Sequence, residues 1–338
     1  MGVQGQCVNG YLDWQPSASI SILKERAKLL SDIRTFFEKR GVLEVETPLL
    51  CSTASLDPHI NPISVLYKKL EFSTTLPKEE NYYLQTSPEF AMKRLLAAGS
   101  GPIYQLCKAF RNDEVGRFHN PEFTILEWYQ PGFTHHDLMQ EVDELLQVVL
   151  GTLPAEKISY EAIFQKVLHF NPHTVSLDHL KQVAILKNVI LSEDITKTLT
   201  VDDWLDILMT HCIEPQLGLE RPMMLYDYPI TKAALAKIRT GNPSVAERFE
   251  VYVQGIELAN GFHELLNSEE QKDRFLKNLE TRKALGYPVI PIDQYLIAAL
   301  ESGMPSSSGV ALGVDRLLML KFQSSHINEV VSFTIDRV

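Results

Sequence analysis

Cysteine is scarce in this chain of 338 residues. Cys7, Cys51, Cys107 and Cys212 lie far apart in the sequence and form no CxxC pair. Their spacing argues against both a zinc site and a disulfide framework. We therefore expect reduced thiols, as in a cytoplasmic protein.

Long apolar runs and a basic excess are missing as well. No uncharged stretch reaches the roughly 18 residues that would span a bilayer, and the N-terminus has no basic start followed by an apolar run. We expect a cytoplasmic protein with no membrane anchor.

The 43 Asp and Glu residues outnumber the 32 Lys and Arg residues, giving a net charge of -11. This field repels phosphate backbones and disfavours a general nucleic-acid binder, although a local basic patch remains open.

Neither common phosphate loop, GxxxxGKS/T or GxGxxG, occurs in the sequence. A bound nucleotide would therefore need another kind of cradle. Ser87 lies outside any GxSxG elbow, which argues against a nucleophilic serine. His135 and His136 lack a partner at ligand spacing, so we do not predict them as metal ligands.

Sequence periodicity predicts an α+β fold. A helix is expected from Ile20 to Arg40, between a Ser19 N-cap and Gly41. The runs IYQLCKAF (103–110) and FTILEWYQ (123–130) alternate as strands do, and they predict an antiparallel hairpin. Helical patterns dominate 135–246, whereas 1–16 is irregular. Strand runs separated by helical blocks favour a largely antiparallel sheet flanked by helices.

The segment FRNDEVGRFHNPEFTILEWY (110–129) combines an arginine with alternating aromatic and acidic residues. Phe123, Glu127 and Tyr129 fall on one face of the predicted strand. Arg111 has the geometry to take a phosphate with two hydrogen bonds, and Phe123 is able to stack on a base. Taken alone, an arginine and two acids in a hairpin loop are usually a solvated salt-bridge cluster.

The segment GIELANGFHEL (255–265) places Glu257 and Glu264 on either side of Asn260-Gly261. A tight bend there would bring both carboxylates to one Mg²⁺. The alternative is a plain turn at the end of a strand with exposed acids.

The segment GVALGVDRLLML (309–320) predicts a strand, a glycine turn and a helix. Gly313 would let the backbone approach a ligand, and Arg316 in the first helical turn would hold a phosphate. The alternative is that Asp315 is an ordinary acid at a helix start and Arg316 is solvated.

Together and in this order, these segments resemble the three signature motifs of class II aminoacyl-tRNA synthetases. GVLEVETPLL (41–50) resembles motif 1, FRNDE with HNPEFTILEWY (110–129) resembles motif 2, and GVALGVDRLLML resembles motif 3. The resemblance covers the chain from about Trp14. It implies a class II catalytic domain at 17–338 that includes 135–246 as an insertion, and motif 1 implies a homodimer.

TSPE (86–89), HNPEFT (119–124) and ELANGFHEL (257–265) are most similar to lysyl-tRNA synthetases. Motif 1 begins within the first fifty residues, which leaves no room for the anticodon-binding OB-fold domain of those enzymes, so we expect no tRNA anticodon binding. WQPSASI (14–20) and PEFTILEWY are similar to the freestanding paralogues that ligate (R)-β-lysine to a lysine of elongation factor P. A truncated synthetase acting on tRNA or another amine, and a non-catalytic regulatory paralogue, are the alternatives.

The resemblance implies residue roles. ATP would be contacted by Arg111 at the α-phosphate, Asn112, Asp113, Asn120, Phe123 at adenine, Glu257 and Leu258 near Mg²⁺, Gly313, and Arg316 at the γ-phosphate. The amino acid would be bound by Ser87, Pro88, Glu89, Glu127, Tyr129, Asn260, Glu264 and Ala311. Arg111, Glu257, Glu264 and Arg316 would carry the catalysis, and Glu257 and Glu264 would hold Mg²⁺. Asp113 replaces the usual Glu, and Ala311 replaces the usual Gly, where its methyl group would crowd the α-amine of α-lysine.

Overall fold

The computed structural model describes residues 7–8, 11–12, 14–69, 78–112 and 114–338. Asp113, predicted to contact ATP, lies outside the described residues. The chain divides into two compact units. The first contains Met1–Pro131, Leu266–Pro305 and Ala311–Val338, and the second contains Gly132–Leu265 and Ser306–Val310.

The strands and α-helices, in chain order, have the following bounds. The strands are β1 Cys7–Val8, β2 Tyr11–Leu12, β3 Leu43–Glu44, β4 Leu50–Cys51, β5 Ser64–Lys69, β6 Lys78–Leu84, β7 Ile103–Phe110, β8 Glu122–Pro131, β9 Glu156–Ser159, β10 Met223–Pro229, β11 Ile238–Arg239, β12 Val245–Val253, β13 Ile256–His263 and β14 Ser307–Gly313. The helices are α1 Ile20–Glu38, α2 Glu89–Ala97, α3 His135–Leu150, α4 Tyr160–Leu168, α5 Leu177–Leu186, α6 Glu193–Thr196, α7 Val201–Leu208, α8 Ser268–Ala284, α9 Gln294–Gly303 and α10 Val314–Phe322.

In the first unit, α1 begins where the sequence predicts. The Ser19 hydroxyl accepts a hydrogen bond from the backbone N–H of Ile22 at 3.3 Å, so it caps the helix. The buried face of α1 includes Phe37, whose ring stacks on Tyr104 at 4.4 Å and meets Trp128 edge-on at 5.3 Å. This aromatic contact anchors α1 on the sheet.

The predicted hairpin is confirmed. Strands β7 and β8 pair antiparallel in a single register, from Ile103 opposite Tyr129 to Phe110 opposite Glu122. Strand β3 adds to β7 in parallel, and β4, β6 and β5 form a separate antiparallel sheet. Next in the chain, α2 starts at Glu89 with Pro88 in the N-cap position.

The second unit contains a series of paired strands and a buried core. Its strands follow the order β14-β13-β12-β10-β9, and β11 pairs with β12. The β10/β12 and β12/β13 pairs are antiparallel, whereas β9 and β10 are parallel. Tyr160, Phe164 and Trp204 belong to its buried core. The predominance of antiparallel pairs among the described strands confirms the predicted α+β class.

Two predicted segments contain further structure. Residues 1–16, expected to be irregular, include the antiparallel pair β1/β2. Residues 135–246, expected to be mainly helical, hold α3 to α7 and also β9, β10 and β11. Among the described residues, no helix is long and apolar enough to cross a membrane.

Candidate active site

Several residues of the first unit that are predicted to bind the amino-acid substrate lie around the carboxylate of Glu127. Ser87 donates a hydrogen bond to its Oε2 at 2.7 Å, and Tyr129 donates one to its Oε1 at 2.7 Å. Glu127 and Tyr129 are two residues apart on β8, so they share one face of the strand. Ser87 reaches them from the turn before α2, where its hydroxyl also accepts from the backbone N–H of Glu89 at 3.1 Å.

The environment of Glu127 brings the pKa of its carboxyl group close to neutral pH. Burial raises the pKa of Glu127 to about 7, and the nearby Glu89 carboxylate also raises it, while the hydrogen bonds from Ser87 and Tyr129 and the Lys93 charge lower it. A cation bound against this carboxyl would favour its ionised form. The cluster is therefore suited to an ammonium group.

The sequence analysis does not single out Lys93, which is part of the same cluster. Its side chain is 2% exposed, and its Nζ lies 2.6 Å from Oε1 of Glu89. A spacing of four residues places both side chains on one face of α2. That spacing, in a predicted helix, is the signal that could have identified the pair.

The predicted nucleotide-binding residues begin where β7 ends. The Arg111 guanidinium lies over the Phe123 ring at 5.0 Å, and its Nη1 lies 3.5 Å from Oε1 of Glu114. Its buried Nε has no hydrogen-bond partner among the described residues. Arg111 and Phe123 are therefore adjacent, as an arginine on a phosphate and a ring on a base would need to be.

Two predicted asparagines flank this pair. The backbone N–H of Asn112 donates to the carbonyl of Asn61 at 2.7 Å. The buried amide of Asn120 donates to the Glu122 carbonyl at 2.7 Å and accepts from the N–H of Ile335 at 3.0 Å. Asn120 thus holds the start of β8 against the C-terminal segment, and its contact with ATP stays a prediction.

Motif 3 forms the strand, turn and helix that the sequence predicts. Ala311 and Gly313 lie on β14, with Gly313 as the N-cap of α10. Arg316 follows in the first turn of that helix, and its Nη2 lies 2.6 Å from Nε2 of His119. Burial and the Arg316 charge lower the pKa of His119, which favours the neutral ring that can accept this hydrogen bond.

The remaining predicted residues belong to the second unit. Glu257, Leu258 and Asn260 lie on β13, and Glu264 follows it directly. Glu264 is fully buried, and its backbone N–H donates to the Ser307 carbonyl at 2.9 Å. Its burial contradicts a turn with exposed acids.

The structure corrects the predicted bend at Asn260-Gly261. Asn260 and Gly261 lie inside β13, which is paired with β12 along its length. The binding of one Mg²⁺ ion by Glu257 and Glu264 stays a prediction. In the described part of the chain, no group of three or more His, Cys, Asp and Glu side chains could hold a metal.

A buried network next to Asn260 also escapes sequence reasoning. Glu250 accepts hydrogen bonds at 2.6 Å from the hydroxyls of Tyr228 and Tyr252, and it forms an ion pair with Arg248. Arg248 Nε donates to Oδ1 of Asn260 at 3.2 Å. This contact fixes which end of the Asn260 amide faces Arg248. Glu250 lies opposite Asn260 in the β12/β13 register, and that pairing could not be read from the sequence.

The chain's family follows from its match to known proteins. The family model "tRNA synthetases class II (D, K and N)" matches residues 4–337, so the chain belongs to this family. Among its curated relatives are proteins named elongation factor P–(R)-beta-lysine ligase. The protein of that name from Edwardsiella ictaluri is 49% identical over 96% of this chain and 98% of the relative's length. Those from Salmonella arizonae and Erwinia tasmaniensis are each 48% identical over the same shares. Within the class II family, the chain belongs with these ligases, which confirms the resemblance drawn from its motifs.

Proposed function

We propose that this protein is an ATP-dependent ligase. It activates (R)-β-lysine as an aminoacyl-adenylate and transfers the aminoacyl group to the ε-amine of a lysine in translation elongation factor P. The observation that carries this proposal is the identity of 49% to a ligase of that name over 96% of the chain.

The cluster around Glu127 supports an amino-acid substrate with two ammonium groups. Burying an ammonium is costly unless a carboxylate or hydroxyl pairs with it. Glu127, Glu89 and the Tyr129 hydroxyl supply such groups within the first unit. Asn260 and Glu264 are proposed, from the family resemblance, to complete the binding of this substrate.

ATP is a substrate in the proposed reaction. The carboxylate of the amino acid attacks the α-phosphorus in line, and pyrophosphate leaves. Arg111 stabilises the negative charge that develops on the phosphoryl oxygens, Phe123 holds the adenine, and Arg316 holds the γ-phosphate. A Mg²⁺ ion held by Glu257 and Glu264 would neutralise phosphate charge.

Transfer completes the reaction. The neutral ε-amine of the acceptor lysine attacks the carbonyl carbon of the adenylate, an amide bond forms, and AMP leaves with the electrons of the broken bond. The amine proton is released to solvent. This step needs no covalent enzyme intermediate, because positioning and electrostatics supply the catalysis. We further propose a cytoplasmic homodimer that uses motif 1 as its interface and does not bind a tRNA anticodon.

The test is the intact mass of purified elongation factor P after incubation with this protein, Mg-ATP and either (R)-β-lysine or α-lysine. A gain of one lysyl group, greater with the β isomer and absent with Arg111→Ala, is the expected result. Pyrophosphate release without a mass change would assign another acceptor, and acylated tRNA would favour the truncated synthetase. No pyrophosphate release with either lysine would overturn the proposal and favour a non-catalytic paralogue.

A further inference from the structure

Arg26 lies at the centre of a network that joins three elements of the first unit. It projects from α1, and its Nη1 lies 2.6 Å from Oδ1 of Asp315 at the start of α10. Its Nη2 donates to Oγ1 of Thr124 on β8 at 2.7 Å. The same guanidinium also donates to the Val330 carbonyl at 3.3 Å. One side chain therefore spans a helix, a strand and the C-terminal segment.

Asp315 completes the link between β8 and α10. Its second oxygen, Oδ2, accepts a hydrogen bond from the backbone N–H of Thr124 at 2.8 Å. The side chains of Arg26 and Asp315 are 14% and 4% exposed, so water competes little for these bonds. Arg26, Thr124 and Asp315 thus form a closed ring of three hydrogen bonds, in which both terminal nitrogens of Arg26 and both oxygens of Asp315 take part.

The two residues held by this ring are sequence neighbours of residues with proposed roles on ATP. Thr124 precedes Ile125 and follows Phe123, whose side chain points to the other face of β8. Asp315 precedes Arg316 in the first turn of α10. A change in the position of Thr124 or Asp315 is therefore transmitted to Phe123 or Arg316 through a single peptide unit.

From this geometry we infer that Arg26 is a positioning residue for ATP. It sets the distance between the proposed adenine platform, Phe123, and the proposed γ-phosphate residue, Arg316, by holding Thr124 and Asp315 together. This inference rests on the proposed function, because it takes the roles of Phe123 and Arg316 from it. Arg26 itself contacts Asp315 and Thr124, which are the sequence neighbours of Arg316 and Phe123.

Substitutions within this ring can distinguish a positioning role of Arg26 from that of an ordinary buried ion pair. Lysine at position 26 would keep the charge beside Asp315, but its single ammonium cannot replace the two-pronged contact with Asp315 and Thr124. Valine at position 124 would remove the Oγ1 acceptor and keep the side-chain shape, while serine would keep the acceptor. The charge and the bridge can therefore be tested separately.

The experiment measures the Kd for Mg-ATP by titration calorimetry in Arg26→Lys, Thr124→Val, Thr124→Ser and the unaltered protein. Arg34→Lys is the matched control, because Arg34 lies on the same helix in an exposed ion pair with Glu44. We expect the Kd to rise about tenfold in Arg26→Lys and about threefold in Thr124→Val, since small misplacements of binding groups weaken binding. Thr124→Ser and Arg34→Lys are expected to stay within about twofold of the unaltered protein.

A second readout separates positioning from loss of structure. The KM for the amino acid, measured by pyrophosphate exchange at saturating ATP, is expected to stay unchanged in Arg26→Lys. The reason is that Arg26, Thr124 and Asp315 are not among the residues that surround Glu127. An unchanged Kd for ATP in the folded variant would overturn the inference. Equal changes for both substrates, together with a lower melting temperature, would overturn it as well, since they would show a purely structural role.

The outcomes for the unaltered protein keep the two proposals apart. If it binds ATP but does not modify elongation factor P, the proposed acceptor is wrong, and the Kd comparison still decides the role of Arg26. If it does not bind ATP at all, both the proposed function and the role of Arg26 are overturned.

Discussion

Tyr129 donates a hydrogen bond to Glu127, its neighbour on the same face of β8, at 2.7 Å. Ser87 donates to the other oxygen of the same carboxylate, also at 2.7 Å. Both oxygens of Glu127 are therefore fixed in direction, although the group is buried and its pKa is raised to about 7. This carboxyl group is held in a fixed orientation but is not fully ionised at neutral pH. A cation bound beside it would stabilise the ionised form.

The first prediction concerns the pH dependence of amino-acid binding. Because Glu127 is protonated below about pH 7, the KM for (R)-β-lysine is expected to fall as the pH rises from 6 to 8. The substrate amines titrate near pH 10 and stay charged in this range. Pyrophosphate exchange at fixed ATP gives the KM at each pH. Glu127→Gln should give a higher KM that does not vary with pH, and a flat profile for the unaltered protein would contradict the assignment.

The second prediction concerns stability. The pKa of Glu127 is higher in the folded protein than its ordinary value of 4.5, so folding is penalised as pH rises from about 4.5 to 7 and the penalty is complete above 7. Glu127→Gln removes this penalty. Relative to the unaltered protein, the variant is expected to gain about 3 kcal/mol of unfolding free energy between pH 4.5 and pH 8. Urea unfolding at both pH values measures it.

Glu25→Gln is the control for that experiment, since Glu25 is exposed on α1. Its difference from the unaltered protein should be nearly the same at both pH values. If Glu127→Gln behaves like this control, Glu127 is ionised in the folded protein well below pH 7.

The hairpin and motif 3 could be predicted because their signals are local. Alternation in β8 and the glycine before α10 depend on neighbouring residues alone, and the register from Ile103 to Tyr129 matches the predicted strands. Asn260-Gly261 misled the analysis because Asn-Gly is typical of a turn. The pairing of β13 with β12 overrides this local preference.

The partners of the predicted site residues could not be read from the sequence. Arg26 and Asp315 are separated by 289 positions, and their contact depends on the tertiary structure that brings α1 and the start of α10 together. His119 and Arg316 are 197 positions apart. Sequence motifs predict residues that would act on substrates, whereas the side chains that contact these residues follow from tertiary packing.

The third prediction follows from the corrected position of Gly261. A Cβ built there would lie 2.6 Å from Cζ of Phe249 and 2.8 Å from Cβ of Val310, so this glycine is required by close packing. Gly261→Ala is expected to lower the unfolding free energy by about 1–3 kcal/mol, because the neighbours must shift. Urea unfolding measures the loss. In Gly116→Ala the added Cβ would meet nothing within 4 Å, so a similar loss there would refute the packing explanation.

The fourth prediction tests Arg111. Arg111→Lys keeps a positive charge but loses the planar fork that suits a phosphate. We expect kcat for pyrophosphate exchange to fall about 100-fold, which is the scale of losing a charge-stabilising donor, while the melting temperature changes little because lysine keeps the positive charge and an aliphatic side chain. Arg117→Lys, in the same loop, is the control. Equal losses in both variants would show that the loop, not the fork of Arg111, matters.

The last prediction concerns the choice between lysine isomers. Ala311 is half-buried on β14, at a position where the resemblance to lysyl-tRNA synthetases leads us to expect Gly. Its methyl group is expected to crowd an amine on the α-carbon, whereas an amine on the β-carbon avoids it. Ala311→Gly should therefore raise kcat/KM for α-lysine by about tenfold relative to (R)-β-lysine, a typical effect of one methyl group in a pocket. Pyrophosphate exchange with each isomer measures this ratio. Ala246→Gly on β12 controls for the loosening that any glycine brings to a strand, and an unchanged ratio in Ala311→Gly would show that selectivity lies elsewhere in the site.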